Sequence, residues 1–291
     1  MPLPPLTPTL LLAVTLTAAA QPAPPTPTPD SLAQVNGVLW TQQAVEHQAV
    51  SLAMYRAASA ALVAAAQAPV KAGAWATLET GPASTGRKAV VMDLDETVLD
   101  NAAYSAWLAK ANQHYVEPTW QDWMALRQAK AIPGALEFVR LAAKLKVDVF
   151  FITNRECVPK DADPCPALEH TRRNLLALGF ERAAQPEAFM LKKQRPEWDS
   201  SDKTSRRQLV AQTHQIVMLV GDDMGDFLPV AKVAALRAGT PDAETDRAMT
   251  LLGKRWFVIP NPMYGSWEKA VPRDALGRLG ALQAPEGWGA P

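Results

Sequence analysis

The sequence predicts an α/β fold, a Rossmann-like doubly wound parallel sheet with an N-terminal helical accessory part. Three observations carry this reading. Beyond residue 87, short apolar runs of strand length alternate with helix-length amphipathic stretches, the pattern of strands joined by helical crossovers. Ahead of them, residues 31–67 contain no proline and repeat apolar side chains at three- and four-residue steps, the helical period. Finally, 291 residues with 48% hydrophobic side chains suffice for one large core domain with an accessory part.

From the N-terminus, no charged side chain precedes Asp30. Residues 10–16 are an apolar run followed by Ala18-Ala19-Ala20, so residues 1–20 read as a secretory signal peptide with an A-x-A-like cleavage site. The run is shorter than the ~20 apolar residues of a membrane span, so no stable span is expected there. Its opening, Met1-Pro2-Leu3-Pro4-Pro5, lacks the usual basic residue. Residues 21–30 make a Pro-rich tether. Residues 31–87 are the helical accessory segment, with Ser31 as N-cap and one apolar face through Leu32, Val35, Leu39, Gln42, Val45, Ala49, Leu52 and Tyr55. Gly37 weakens the first turns, so the segment is one helix or two. Pro69 closes it, and residues 70–87 read as a loop or linker through Gly73, Gly81, Pro82 and Gly86.

The core domain spans 88–275. Strands are expected at 89–94, 147–153, 188–191, 216–220 and 255–259, with helices at 134–146, 166–178 and 202–212. Residues 276–291 form a C-terminal tail. In a doubly wound sheet the ligand sits beyond the carboxyl ends of the strands. Strand 89–94 leads into Asp93-Leu94-Asp95-Glu96-Thr97, and strand 147–153 into Thr153-Asn154-Arg155. Strand 216–220 leads into Gly221-Asp222-Asp223-Met224-Gly225-Asp226, while Lys192, Lys193 and Lys203 lie near a helix start.

Acids, a hydroxyl and a cation gathered on one sheet edge suit phosphoryl transfer. Clustered carboxylates repel a phosphate dianion unless a hard cation neutralises them, and Mg²⁺ takes oxygen ligands from carboxylates, phosphate and water. One carboxylate can then attack phosphorus, and a second can protonate the leaving oxygen. A hydroxyl and an ammonium hold the equatorial oxygens, where transition-state charge spreads. Other chemistries are excluded. No G-x-x-x-x-G-K-[ST] loop occurs, neither Cys157 nor Cys165 has an Arg six residues on, and the four histidines sit outside any basic motif. Equal numbers of acids and bases, 29 each, remove the electrostatic case for a nucleic-acid polymer as partner.

The residues Val91-Met92-Asp93-Leu94-Asp95-Glu96-Thr97-Val98-Leu99-Asp100-Asn101-Ala102-Ala103-Tyr104 and Val217-Met218-Leu219-Val220-Gly221-Asp222-Asp223-Met224-Gly225-Asp226-Phe227 resemble the two acidic signatures of the class C acid phosphatases, in the haloacid dehalogenase superfamily. Weaker similarity runs from Trp40 through Asn261-Pro262-Met263-Tyr264-Gly265-Ser266-Trp267-Glu268. The resemblance implies an exported, periplasmic or secreted, Mg²⁺-dependent phosphomonoesterase. It would work at mildly acidic pH on small phosphate esters, nucleoside 5′-monophosphates among them.

Carried over by position, Asp93 is the implied nucleophile and Asp95 the general acid/base. Mg²⁺ falls to Asp93, the backbone carbonyl of Asp95, and Asp222, with Asp226 nearby. Thr153 and Lys203 are implied on the phosphoryl group, with Lys193 the runner-up lysine. Asn154, Tyr104 and Tyr264 are implied on the substrate. Trp107, Trp120 and Trp123 share the connection where relatives select substrate. Asp223 departs from the usual Asn or Thr, Met224 from the usual Leu, and Met92 from a small aliphatic. A non-catalytic storage or binding protein on the same fold, or a phosphotransferase to an alcohol acceptor, are the alternatives. Cys157 and Cys165 can pair in an exporting context or stay free, and the oligomeric state, homo-oligomer included, is left open.

Overall fold

A computed structural model describes residue 28 and residues 34–70, 75–80, 86–272 and 274–283. The signal peptide expected at 1–20 lies outside the described residues, as do most of the tether and residues 284–291. In chain order the helices and strands begin with α1 (Val35–Gln43), α2 (Val45–Gln67), β1 (Lys88–Met92), β2 (Leu99–Asp100), α3 (Ala102–Ala111) and α4 (Glu117–Leu126). They continue with β3 (Lys130–Ala131), α5 (Ala135–Lys144), β4 (Asp148–Glu156), α6 (Pro166–Ala177), β5 (Phe189–Lys192) and α7 (Thr204–Ala211). The rest are β6 (Gln215–Gly221), α8 (Val230–Arg237), α9 (Ala243–Met249), β7 (Trp256–Val258) and α10 (Ala275–Gly280).

Five strands form one parallel sheet in the order β5-β4-β1-β6-β7, and β2 pairs antiparallel with β3 beside it. The apolar runs of the main strands follow from covering both faces. Val90 and Met92 of β1 face a cluster with Tyr55, Leu62, Phe138, Phe151 and Leu175, from α2, α5, β4 and α6. Ala89 and Val91 face the other cluster, with Trp198, Val210, Val233, Ala248 and Trp256. Every residue of β6 is buried. Burying each such large apolar side chain stabilises the fold by about 1.5–3 kcal/mol. The expected strands and helices of the core all form, with ends shifted by a few residues.

The N-terminal part differs from expectation in detail. Two helices form, and the break falls at Ala44, whose φ −76° and ψ 126° are extended. Gly37 instead lies within α1, where the lack of a side chain matters because a Cβ would sit 2.5 Å from the Pro262 carbonyl oxygen. The single apolar face does not exist: Leu39 and Val45 are exposed. The extended residue resets the helical phase, and the buried stripe of α2 is His47, Ser51, Tyr55, Ala58 and Leu62. Tyr55 Oη donates to the Thr97 carbonyl at 2.7 Å. By length and composition α2 could cross a membrane, its mean hydropathy reaching 1.5, yet Tyr55, Ala58 and Leu62 of this stripe pack in the domain core.

Residues 75–80 are not a free linker. Trp75, Ala76, Thr77 and Glu79 are buried, and Ala76 N–H donates to Ile216 O at 2.8 Å. Between β2 and β3, the two helices α3 and α4 bring Tyr104 and Trp120 over the carboxyl end of the sheet. Cys157 and Cys165 are joined by a disulfide ahead of α6.

Candidate active site

The carboxyl end of β1 carries the centre. Asp93 N–H donates to Val220 O at 3.0 Å, extending the β1–β6 pairing and setting Asp93 beside Gly221 and Asp222. Asp93, Asp222 and Asp226 each place a carboxylate oxygen within 4.8 Å of the others. Gly221 makes this possible, since a Cβ there would meet the Asp226 carboxylate at 2.3 Å. Asp226 ends a short 3₁₀ turn, and its Oδ2 accepts from Asp223 N–H at 3.0 Å. Asp222 accepts from Thr97 Oγ1 at 3.2 Å and from Asn261 Nδ2 at 2.8 Å.

Lys203, buried just before α7, donates its ammonium to Asp93 Oδ1 and, at 2.6 Å, to Asp226 Oδ1. Burial outweighs this cation. It pushes the Asp93 carboxyl up to about 7, with Asp226 and Asp95 adding repulsion against the pull of Lys203. The Asp222 carboxyl is pushed well above its usual range by burial and by Asp226 and Asp93. Three carboxylates, two of them buried, face one ammonium and are under-neutralised. An all-oxygen donor set of this kind fits a hard divalent cation.

Asp95 turns elsewhere. Arg155 Nε donates to its Oδ1 and Oδ2 at 3.0 and 3.1 Å, and Arg155 Nη2 to Oδ1 at 2.7 Å. Asn101 Nδ2 adds a bond to Oδ1 at 2.9 Å. Thr153, fully buried at the turn of β4, points Oγ1 at Asp95 Oδ2 across 3.5 Å. The β4–β5 register shifts between Thr153 and Glu156, where Asn154 and Arg155 leave the ladder. Asn154 is exposed, donates to Ser201 O at 3.1 Å, and accepts from Arg206 Nη2 at 2.8 Å.

Above these groups lies a cavity of about 520 Å³. Asp93, Asp95, Lys203 and Asp222 form its polar part, and Tyr104, Tyr115, Trp120 and Tyr264 its aromatic wall. Of the sequence candidates, Asn154, Tyr104 and Tyr264 line it, whereas Thr153, Trp107 and Trp123 do not. Lys193 lies away from the carboxylates, paired with Glu156 at 2.6 Å. Asp223 does not join the three carboxylates. It caps the 3₁₀ turn through Gly225 N–H at 2.8 Å and accepts from both Ser266 N–H and, at 2.7 Å, Ser266 Oγ. Burial would raise this carboxyl, but those bonds hold it below the usual range.

Several site residues escaped the sequence reading. Arg206 donates to the Thr153 carbonyl at 2.6 Å, and Arg207 to the Asp226 carbonyl at 3.1 Å. Glu79 receives Arg207 Nε and Nη2 at 2.9 and 2.8 Å. Glu96, buried and at φ 58°, accepts from Asn101 N–H at 2.7 Å. Burial and the neighbouring Asp95 and Asp222 push its carboxyl well above the usual range. The sequence cue was spacing: Lys203, Arg206 and Arg207 fall on one side of a helix start, and only the charge nearest the motif was assigned a task.

The model of the HAD superfamily, subfamily IIIB (acid phosphatase), matches residues 13–267. The crystal structure of the class C acid phosphatase from Bacillus anthracis with tungstate bound is similar with a TM-score of 0.70 and 29% identity, covering 89% of this chain and 100% of that one. A second structure of the Bacillus anthracis class C acid phosphatase gives 0.69 and 29% over the same shares.

Proposed function

Since the chain belongs to HAD subfamily IIIB, the acid phosphatases, we propose that it hydrolyses small phosphate monoesters through a phosphorylated Asp93, with Mg²⁺ at the carboxylate cluster. The observation that carries this is Asp93 itself. It sits at the end of the central strand, bonded to a buried lysine and grouped with Asp222 and Asp226, with the paired Asp95 two residues on.

Asp93 attacks phosphorus with a carboxylate oxygen while the bond from phosphorus to the ester oxygen breaks. Asp95 gives its proton to that departing oxygen, and the alcohol leaves. In the second half, Asp95 takes a proton from water as the water oxygen bonds to phosphorus, the Asp93–phosphorus linkage breaks, and inorganic phosphate departs. Thr153 Oγ1 and Lys203 Nζ bind the phosphoryl oxygens. Asp93, Asp222, Asp226 and the Asp95 carbonyl would hold Mg²⁺, which supplies the charge neutralisation that lets a phosphate dianion approach. The structure of the Bacillus anthracis class C acid phosphatase has tungstate bound, a tetrahedral oxyanion, which supports an oxyanion site on this fold. Tyr104, Trp120 and Tyr264 offer flat apolar surface beside it, which favours esters whose alcohol carries a ring, nucleoside 5′-monophosphates included.

The uncharged leader and the Cys157–Cys165 disulfide support export to an oxidising compartment. The deciding experiment follows p-nitrophenyl phosphate hydrolysis by the purified protein with Mg²⁺, with chelator, and for Asp93→Asn. Wild-type hydrolysis that the chelator stops and Asp93→Asn lacks is expected. Turnover by Asp93→Asn near the wild-type rate would remove the nucleophile assignment.

A further inference from the structure

Arg155 is 2% exposed, and its guanidinium is spent on two partners, Asp95 and, through Nη1 at 2.9 Å, Thr171 Oγ1 of α6. Asn101 is fully buried and grips Asp95 Oδ1 from another side. Each of these donors is held in turn by a tryptophan of one helix. Trp123 Nε1 donates to Asn101 Oδ1 at 2.9 Å, and the Arg155 guanidinium lies 5.7 Å from the centre of the Trp120 ring. Trp120 also lines the cavity. Glu96 completes the support, accepting from the Asn101 backbone and side chain.

We infer that Arg155 and Asn101 are positioning residues for Asp95, and that α4 sets both of them through Trp120 and Trp123. The inference rests on the reading of Asp95 as general acid/base. An aspartate side chain left free rotates among staggered positions, whereas a forked guanidinium fixes both carboxylate oxygens in one plane. Proton delivery needs that fixed geometry, and a displacement of about 1 Å in a catalytic group costs about 100-fold. The helix that walls the substrate cavity and the group that protonates the leaving oxygen are therefore parts of one packed unit. Substrates that fail to seat against Trp120 meet a less well-placed acid.

The test compares kcat/KM for two esters, an alkyl phosphate, whose alkoxide needs a proton to leave, and dinitrophenyl phosphate, whose phenolate does not. Asp95→Asn serves as reference. For Arg155→Ala we expect about a 100-fold loss on the alkyl ester and less than about 10-fold on the aryl ester. Free guanidinium should restore part of the alkyl activity. Trp123→Phe, which keeps an aromatic ring but removes the indole N–H with the five-membered part of the ring, should show the same split at several-fold size, and it carries the test if Arg155→Ala does not fold. In the Asp95→Asn background, Arg155→Ala should cost little more on the alkyl ester. Equal losses on both esters, or a full additional loss in that background, would overturn the positioning role. If Asp95→Asn itself shows no split, the acid assignment falls first, and the inference with it.

Discussion

Glu79 and Arg207 form a buried pair next to the carboxylate cluster, which Arg207 reaches through the Asp226 carbonyl. Their side chains are 3% and 0% exposed and meet through two bonds, Nε to Oε2 at 2.9 Å and Nη2 to Oε1 at 2.8 Å. Glu79→Leu leaves a guanidinium uncompensated in the interior, where losing one partner of a buried pair costs about 3–5 kcal/mol. In a domain of this size that corresponds to a fall of roughly 6–20 °C in Tm. Glu79→Leu/Arg207→Met removes both charges and should recover most of the loss, because well-packed apolar replacements of buried pairs are near neutral. Activity should stay low in the double variant, since the Asp226 carbonyl has lost its Arg207 donor. Thermal melts and initial rates at one fixed Mg²⁺ concentration read both quantities. The Arg87–Asp148 pair, with Arg87 61% exposed, provides the comparison, and Arg87→Ala should cost below about 1 kcal/mol. A Glu79→Leu shift no larger than that of Arg87→Ala, or a double variant as unstable as the sum of the singles, would refute the reasoning.

Cation removal has a pH signature. The Asp93 carboxyl rises from 3.8 to about 7 on folding without a cation, so its contribution to stability is full below pH 4 and drains away towards pH 7. The Tm gap between Mg²⁺-loaded and chelated protein should therefore widen from pH 4 to pH 7, and a gap that stays constant would be the contrary result. Gly37→Ala forces a methyl against Pro262 O and should displace the segment carrying Met263 and Tyr264 into the cavity. Steady-state kinetics should show KM raised several-fold with kcat nearly kept. Reducing Cys157–Cys165, which are eight positions apart, should lower stability by about 2.5 kcal/mol on the loop-entropy estimate. Chemical denaturation with and without a phosphine reductant measures it.

The strands, their order of chemistry and the acids at their ends were legible because they depend on local runs. An apolar stretch buried on both faces announces itself, and Asp93 and Asp222 follow such stretches directly. Helices α3 and α4 were less visible. Each is ten residues long and buries only three or four side chains, too few for a helical period to stand out in the sequence. The stripe over α1 and α2 was misread because one extended residue, Ala44, shifts the phase without any proline or glycine to signal it. Glu79 looked like linker for a different reason. Its partner lies 128 positions away, and nothing near it in the chain shows that its charge is buried. Arg155 stood next to Thr153 in plain sight, but its task depends on Asp95 turning towards it, which only the packing of α4 and α6 decides.

Three bonds around the carboxylate cluster share one property. Lys203 reaches Asp93 across 110 positions, Thr97 reaches Asp222 across 125, and Arg155 reaches Asp95 across 60. A chain that has not yet closed these loops carries Asp93 and Asp95 apart from Asp222 and Asp226, as ordinary solvated acids. The carboxylate cluster exists only once the sheet has assembled. Long-range pairing, and not any stretch of local sequence, therefore decides when these charges come together.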